Sequence, residues 1–193
     1  MENSLFVNLL KTTYCLSENA EKLLQIRIKK EWLPKGSAIL RPGEVCRYIY
    51  FVEKGFLRHF KMSEHIEYTT DFVCQGHFCT AIDSIFTQRQ SEEGILCETD
   101  CVLYALNYYD LMALEDITIE FTSLYKQLIC HYLSLINQER DLYRWANATS
   151  RYEYLCQNYP NINRYVKRKD IASYLGITQQ SLSRILHESL TKR

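Results

Sequence analysis

The spacing of apolar and polar positions changes period several times along the chain, and each change predicts a new unit. Near the start, Leu5-Phe6 and Leu9-Leu10 lie four apart, the spacing of a short docking helix. Ser17 stands where a helix cap belongs. Leu23, Leu24, Ile26 and Ile28 follow among polar residues, predicting a helix to about Trp32 that Leu33-Pro34-Lys35-Gly36 stops. From there to about Asn107 the apolar runs are short, aromatic and β-branched. Five of the six glycines (36, 43, 55, 76 and 94) punctuate them as turns. Strands are predicted over 38–40, 48–52, 55–62, 66–74, 94–98 and 102–107, with a short helix over 78–86. Within 55–62, Phe56, Arg58 and Phe60 alternate with Leu57, His59 and Lys61, the period of a strand with two unlike faces. Short strands at such intervals predict a β-sandwich or barrel-like roll.

A helical period returns near residue 116. Phe121, Leu124, Leu128, His131 and Leu135 recur at three and four, and Tyr125, Ile129, Tyr132 and Ile136 broaden the stripe. A helix over 116–145 would span roughly 45 Å at ~1.5 Å per residue. Acidic Glu115, Asp116 and Glu120 at its start and basic Arg140 and Arg144 at its end suit the helix dipole. Such a helix outreaches a small roll, so its stripe can serve a two-fold partner or its own sheet. Another amphipathic helix over 150–159 ends at Pro160, and a loop over 161–167 follows.

The last pattern is the sharpest. Ile171 and Leu175 share one helical face, and Leu182, Ile185 and Leu186 form the matching stripe on a second helix. Ala172 lets the two approach, Ile177 plugs the angle, Gly176 ends the first helix and Thr178 caps the second. This is a helix-turn-helix in sequence form. Gln180, Ser183, Arg184 and His187 point away from the apolar stripe, with Gln179 at the tip. Gln can bond adenine at N6 and N7, and Arg can bond guanine at O6 and N7. The spacing also suits a solvated helical hairpin. The turn glycine, cap and base-reading side chains together favour DNA.

Charge sharpens that reading. The 193 residues balance 23 Lys/Arg with 23 Asp/Glu, but from Arg140 onward ten Lys/Arg face four Asp/Glu, a net +6 behind a body of −6. A basic C-terminal segment behind an acidic body suits a DNA-binding module joined to another domain. The eight cysteines (15, 46, 74, 79, 97, 101, 130 and 156) contain no Cys-x2-Cys pair, so they read as reduced core thiols, and no metal is called for. No apolar run approaches ~18 residues, no secretory pattern opens the chain, and a cytosolic protein without membrane contact is expected. Phosphate-loop, zinc-protease and nucleophile-elbow motifs are absent, so no enzyme is predicted.

The order of parts, roll then long helix then helix-turn-helix, resembles the Crp/Fnr superfamily of bacterial transcription regulators. The local resemblance lies in Arg41-Pro42-Gly43-Glu44-Val45-Cys46 with Tyr48-Ile49-Tyr50-Phe51-Val52-Glu53-Lys54-Gly55. It returns in Ile171-Ala172-Ser173-Tyr174-Leu175-Gly176-Ile177-Thr178 with Ser181-Leu182-Ser183-Arg184-Ile185. It covers the chain from about residue 16. It implies an α+β fold: an N-terminal double-stranded β-helix or jelly roll (1–115), a long dimerisation helix (116–145) and a C-terminal winged helix-turn-helix (146–193). Partners so implied are double-stranded DNA, a second copy of the chain along Phe121, Leu124, Leu128, His131 and Leu135, and RNA polymerase.

By the same resemblance Gln179, Gln180 and Arg184, with Ser183 on the same face, read bases. Arg168, Lys169, Thr178 and Ser181 lie near phosphates. Gln180 replaces the glutamate common at its position, which shifts the expected site toward adenine. The effector pocket maps to Gly76, His77, Phe78, Arg89, Ser91 and Glu92. Where cyclic AMP binders carry Gly-Glu and Arg-Ser, this chain reads Gly76-His77 and Ser91-Glu92, and carboxylates beside a phosphate repel it. Cyclic AMP is therefore not expected, no cofactor is called for, and any effector is an unknown small molecule. His77 could ligate a metal or haem, as in gas-sensing relatives, or be a hydrogen-bonded structural residue. The Cys74/Cys79 pair beside it offers a thiol sensor. A sensor acting through protein contacts instead of DNA is the rival reading.

Overall fold

The computed structural model describes residues 4–191, with side chains to residue 188. Two helices lead: α1 (Leu5–Thr12), capped by Ser4, and α2 (Glu18–Arg27), capped by Ser17. Eight strands follow, with one helix among them: β1 (Lys29–Leu33), β2 (Ala38–Leu40), β3 (Tyr48–Lys54), β4 (Phe56–Ser63), β5 (Ile66–Cys74), β6 (Phe78–Cys79), α3 (Ile82–Thr87), β7 (Glu93–Cys97) and β8 (Cys101–Asn107). The chain then turns helical: α4 (Tyr108–Ile117), α5 (Ile119–Trp145), α6 (Ala148–Asn158), α7 (Ile162–Tyr165), α8 (Arg168–Tyr174) and α9 (Gln179–Thr191).

The strands form two antiparallel sheets, ordered β1-β8-β3-β6 and β2-β7-β4-β5, packed face to face as a roll. Val52, Leu57, Ile85, Ile95, Cys97, Cys101 and Leu103 fill the space between them. The β3–β4 hairpin needs Gly55 twice over: its φ is +114°, and a Cβ there would stand 2.5 Å from Cys101 Sγ. On the outside of the first sheet, Phe6, Leu10 and Leu24 of the leading helices pack with Phe51, Tyr104, Leu114, Phe121 and Leu124. On the outside of the second, Phe56 and Phe72 join Tyr152, Leu155, Ile171, Leu182 and Ile185 of the C-terminal helices. The thiols are all free, and Cys46, Cys79, Cys97 and Cys101 are buried.

Several expectations need correction. The predicted helix to Trp32 ends at Arg27, because Lys29–Leu33 pairs with β8 from Lys29↔Ala105 to Leu33↔Cys101. Residues 78–86 are not one helix; Phe78–Cys79 pairs with β3 before α3 begins. The long helix starts at Ile119 instead of 116. Thr118 is extended and accepts from the Glu120 N–H, which separates α4 from α5. Phe121 and Leu124 are buried against the roll and Leu128 is half-buried there, so the expected stripe is committed in its first half to the chain's own core. His131 and Leu135, with Leu133 and Ile136, lie on the exposed part of α5. No strand follows Asn107 among the described residues, so they contain no wing.

Candidate nucleic-acid interface and roll cavity

The helix-turn-helix forms as its sequence dictates. Ile171, Ala172 and Leu175 of the first helix and Leu182 and Ile185 of the second are buried together. Gly176 between them takes φ +65°, and its N–H reaches the Ser173 carbonyl. Thr178 Oγ1 accepts from the Ser181 N–H at 3.1 Å, the cap that starts α9. On the opposite face Gln179, Gln180, Ser183, Arg184 and His187 are all exposed. Ser183 Oγ donates to the Gln179 carbonyl, which leaves the two glutamine side chains and Arg184 reaching outward. Arg168 and Lys169, at the start of α8, are exposed beside them. Ser181 is half-buried and spends its hydroxyl on Thr178 at 3.0 Å.

This unit is fastened to the roll. Strand β5 is a sheet edge, and edge donors need covering. The Thr69 N–H donates to Ser173 Oγ of α8 at 3.0 Å, and Tyr159 donates its hydroxyl to the Phe72 carbonyl at 2.7 Å. Beneath α8, buried Arg58 donates Nε to Glu98 at 2.6 Å and Nη1 to Glu67 at 2.9 Å. Asp170 of α8 adds its charge to that group. Burial works against the Arg58 charge, but Glu98, Asp170 and Glu67 outweigh it and raise its pKa. The Asp170 carboxyl is itself pushed up by burial. On α5, Tyr143 donates to the Tyr174 carbonyl, and Tyr174 donates to Glu139 at 2.9 Å.

Between the roll and α5 lies a cavity of about 450 Å³, continuous in its walls with a second of about 310 Å³. Gly76, His77 and Phe78 line the larger one. Arg89, Ser91 and Glu92 line neither. Arg89 is exposed, Glu92 reaches toward Lys61 at 3.5 Å, and Ser91 is buried in a turn where it bonds the Glu93 backbone. His77 stands 3.5 Å from Cys74 Sγ and 3.3 Å from the Gln75 carbonyl. Among the described residues no three of His, Cys, Asp and Glu are arranged to hold a metal.

The chemistry of the cavity comes from residues that the sequence patterning did not single out. His59, buried on the inner face of β4, places Nε2 3.1 Å from Cys79 Sγ and Nδ1 3.5 Å from Glu93. Burial opposes a charged ring, but Cys79, Glu93 and Asp71 hold the His59 pKa well above its ordinary value. The same hydrogen bond holds Glu93 below the usual carboxylate range, whereas burial pushes the Cys79 thiol up. The ion pair is therefore His59 with Glu93. Opposite His59 in the ladder stands Asp71, whose carboxyl burial pushes up to about 7. A β-bulge puts it there: His59 pairs with Asp71 and Phe60 with Thr69, leaving Thr70 as the extra residue. The available signal was His59 and Asp71, each with apolar or aromatic neighbours within two residues, Leu57 and Phe60 in β4 and Phe72 and Val73 in β5.

Residues 30–116 match the family model described as cyclic nucleotide-binding domain. No curated protein matches the chain. Among solved structures it is similar to a Crp/Fnr-family protein from Eubacterium rectale assigned as a transcriptional regulator, with 18% identity, a TM-score of 0.71 and coverage of 92% of this chain and 85% of that one. It is similar to FixK2 from Bradyrhizobium japonicum, with 16% identity, a TM-score of 0.72 and coverage of 86% and 85%. The catabolite activator protein of Thermus thermophilus matches at 19% identity and a TM-score of 0.56, over 95% of this chain and 87% of that one. The fold is that of the Crp/Fnr transcription regulators.

Proposed function

We propose that this chain is a sequence-specific, homodimeric DNA-binding transcription regulator of the Crp/Fnr type. One observation carries the reading: Gln179, Gln180, Ser183 and Arg184 are exposed on a helix whose opposite side is fully committed to packing. An exposed face of side chains that read bases, flanked by Arg168 and Lys169 for phosphates, has the layout of a recognition helix. The dimer is proposed along the outer half of α5, where Tyr132, Leu133, Leu135 and Ile136 expose apolar surface. Two copies then present their recognition helices to successive major grooves. The roll is proposed not to take cyclic AMP, because among the described residues no lysine or arginine lines either cavity to meet a phosphate. Contact with RNA polymerase would follow from the regulator role.

Selection of binding sites from random duplex DNA, with ligand-free protein at two salt concentrations, tests the reading. A palindrome with half-sites about one helical turn apart, bound less tightly at high salt, is the expected product. Absence of any DNA binding at low salt, with and without small-molecule extracts, overturns it.

A further inference from the structure

The cavity wall has an electrostatic sign, and that sign selects a ligand. Three carboxyl groups, those of Asp71, Glu93 and Glu139, line the smaller cavity, and among the described residues no lysine or arginine joins them in the lining. Glu93 is matched by His59 at 3.5 Å and, from outside the cavity lining, by Lys61 at 3.9 Å. Asp71 and Glu139 have no cation within ion-pair distance among the described residues. Asp71 accepts from the Phe72 N–H beside it, and Glu139 accepts from Tyr174. Thr70, the bulged residue on the same wall, buries a hydroxyl with no partner. Two carboxylates and an orphan hydroxyl thus line one cavity, each with acceptor capacity to spare. An alkylammonium head carries three donors and no acceptor, which complements that set. The walls of the larger cavity are mostly apolar and aromatic, with Phe78, Phe86, Leu128 and Tyr132 among them. Its volume of about 450 Å³ is that of a small-molecule site.

We infer that the cavity between the roll and α5 binds a small organic cation, a primary alkylammonium with an aromatic or apolar body. Its head sits among Asp71, Glu139 and Thr70, and its body lies in the larger cavity against Tyr132 and Phe78. Tyr132, Tyr154 and Tyr159 line the same cavity, so aromatic rings surround the head position. A nucleotide phosphate would meet carboxylates and no guanidinium. The inference goes beyond the DNA-binding reading and does not depend on it.

Titration of the full chain at pH 8, where the Asp71 carboxyl raised to about 7 is ionised, with 2-phenylethylammonium chloride, followed by ligand-observed NMR, tests the proposal. The neutral 2-phenylethanol and cyclic AMP serve as comparators. The ammonium is expected to bind one site roughly tenfold or more tighter than the alcohol. Asp71→Asn and Glu139→Gln are each expected to remove most of that advantage while leaving alcohol binding unchanged, with folding checked by thermal melting. Equal binding of ammonium and alcohol to the wild-type chain overturns the proposal. So does ammonium affinity unmoved by both variants, displacement of the ammonium by cyclic AMP, or no ammonium binding up to about 10 mM. DNA selection is a separate readout, so loss of one result leaves the other standing.

Discussion

On one side of β5, α8 and α9 offer glutamines and an arginine to solvent; on the other, Asp71 and His59 are enclosed against α5. The two sites are built in opposite ways. The face of α9 that carries Gln179, Gln180 and Arg184 is exposed, locally encoded and set in a basic segment. The cavity is half-open, carries Asp71, Glu93 and Glu139 on its wall, and is assembled from strands β3 to β7 and helices α1, α3, α5 and α6. Between them lies one irregular stretch: Thr69 bonds α8, Thr70 bulges, and Asp71 turns into the cavity. Asp71 is thus two residues along β5 from backbone that α8 rests on. Packed elements with two arrangements are how small shifts become rigid-body changes.

The largest effect should come from the joint itself. Arg58→Ala leaves Glu98 and Glu67 without their buried partner, beside Asp170. It is expected to cost about 3–5 kcal/mol in urea unfolding. A cost below 1 kcal/mol would mean that the two sites are not mechanically joined through Arg58. Arg184→Ala probes only the outer site. It is expected to lose about 1–3 kcal/mol of discrimination at one base pair per half-site, with an unchanged urea midpoint. Equal loss on every sequence would make Arg184 a phosphate contact.

Asp71→Asn probes only the inner site, through pH. The folded carboxyl titrates near 7, above its ordinary value of 3.8, because it is buried. The folded state thus holds a proton that the unfolded state has released, and stability falls as pH rises from about 4 to 7. His59, Glu93, Glu139 and Tyr132 face the same group. The variant should be more stable than wild type by roughly 2–4 °C at pH 8, and the gain should vanish near pH 4. A pH-independent difference would place the effect in packing.

How much of this was legible differs between the sites for a physical reason. The helix-turn-helix is a short-range object. Ile171, Leu175, Gly176, Thr178, Leu182 and Ile185 lie within one stretch, where periodicity finds the four apolar residues and turn and cap chemistry the other two. Most strands were legible to within two residues, because glycine turns bracket them. Strand β1 was not, because Ile26 and Ile28 continue a helical spacing and only the distant pairing with β8 decides otherwise. In β4 the alternation was correct, yet both faces are buried, since Phe56 and Arg58 meet the C-terminal helices while Leu57 and His59 face the roll interior. The cavity was least legible. Asp71 enters it only because β4 and β5 slip by one residue at Thr70, and register is a property of two strands together.

The smallest expected effect tests whether the two regions are coupled. Ser173→Ala removes one hydrogen bond, that of its Oγ from the Thr69 N–H, and leaves a sheet-edge donor uncovered. The cost in stability should be about 0.5–1.5 kcal/mol, less if water replaces the hydroxyl. Its value lies elsewhere, because Ser173 touches neither the cavity nor the exposed face of α9. If the bulge transmits, 2-phenylethylammonium should change DNA affinity in the wild-type chain and change it less in the variant, while binding of each ligand alone stays the same. Coupling is reciprocal, so the cation affinity measured with and without DNA must show the same loss. An unaltered cation effect in the variant would move the coupling from β5 to α5, where Tyr174 reaches Glu139.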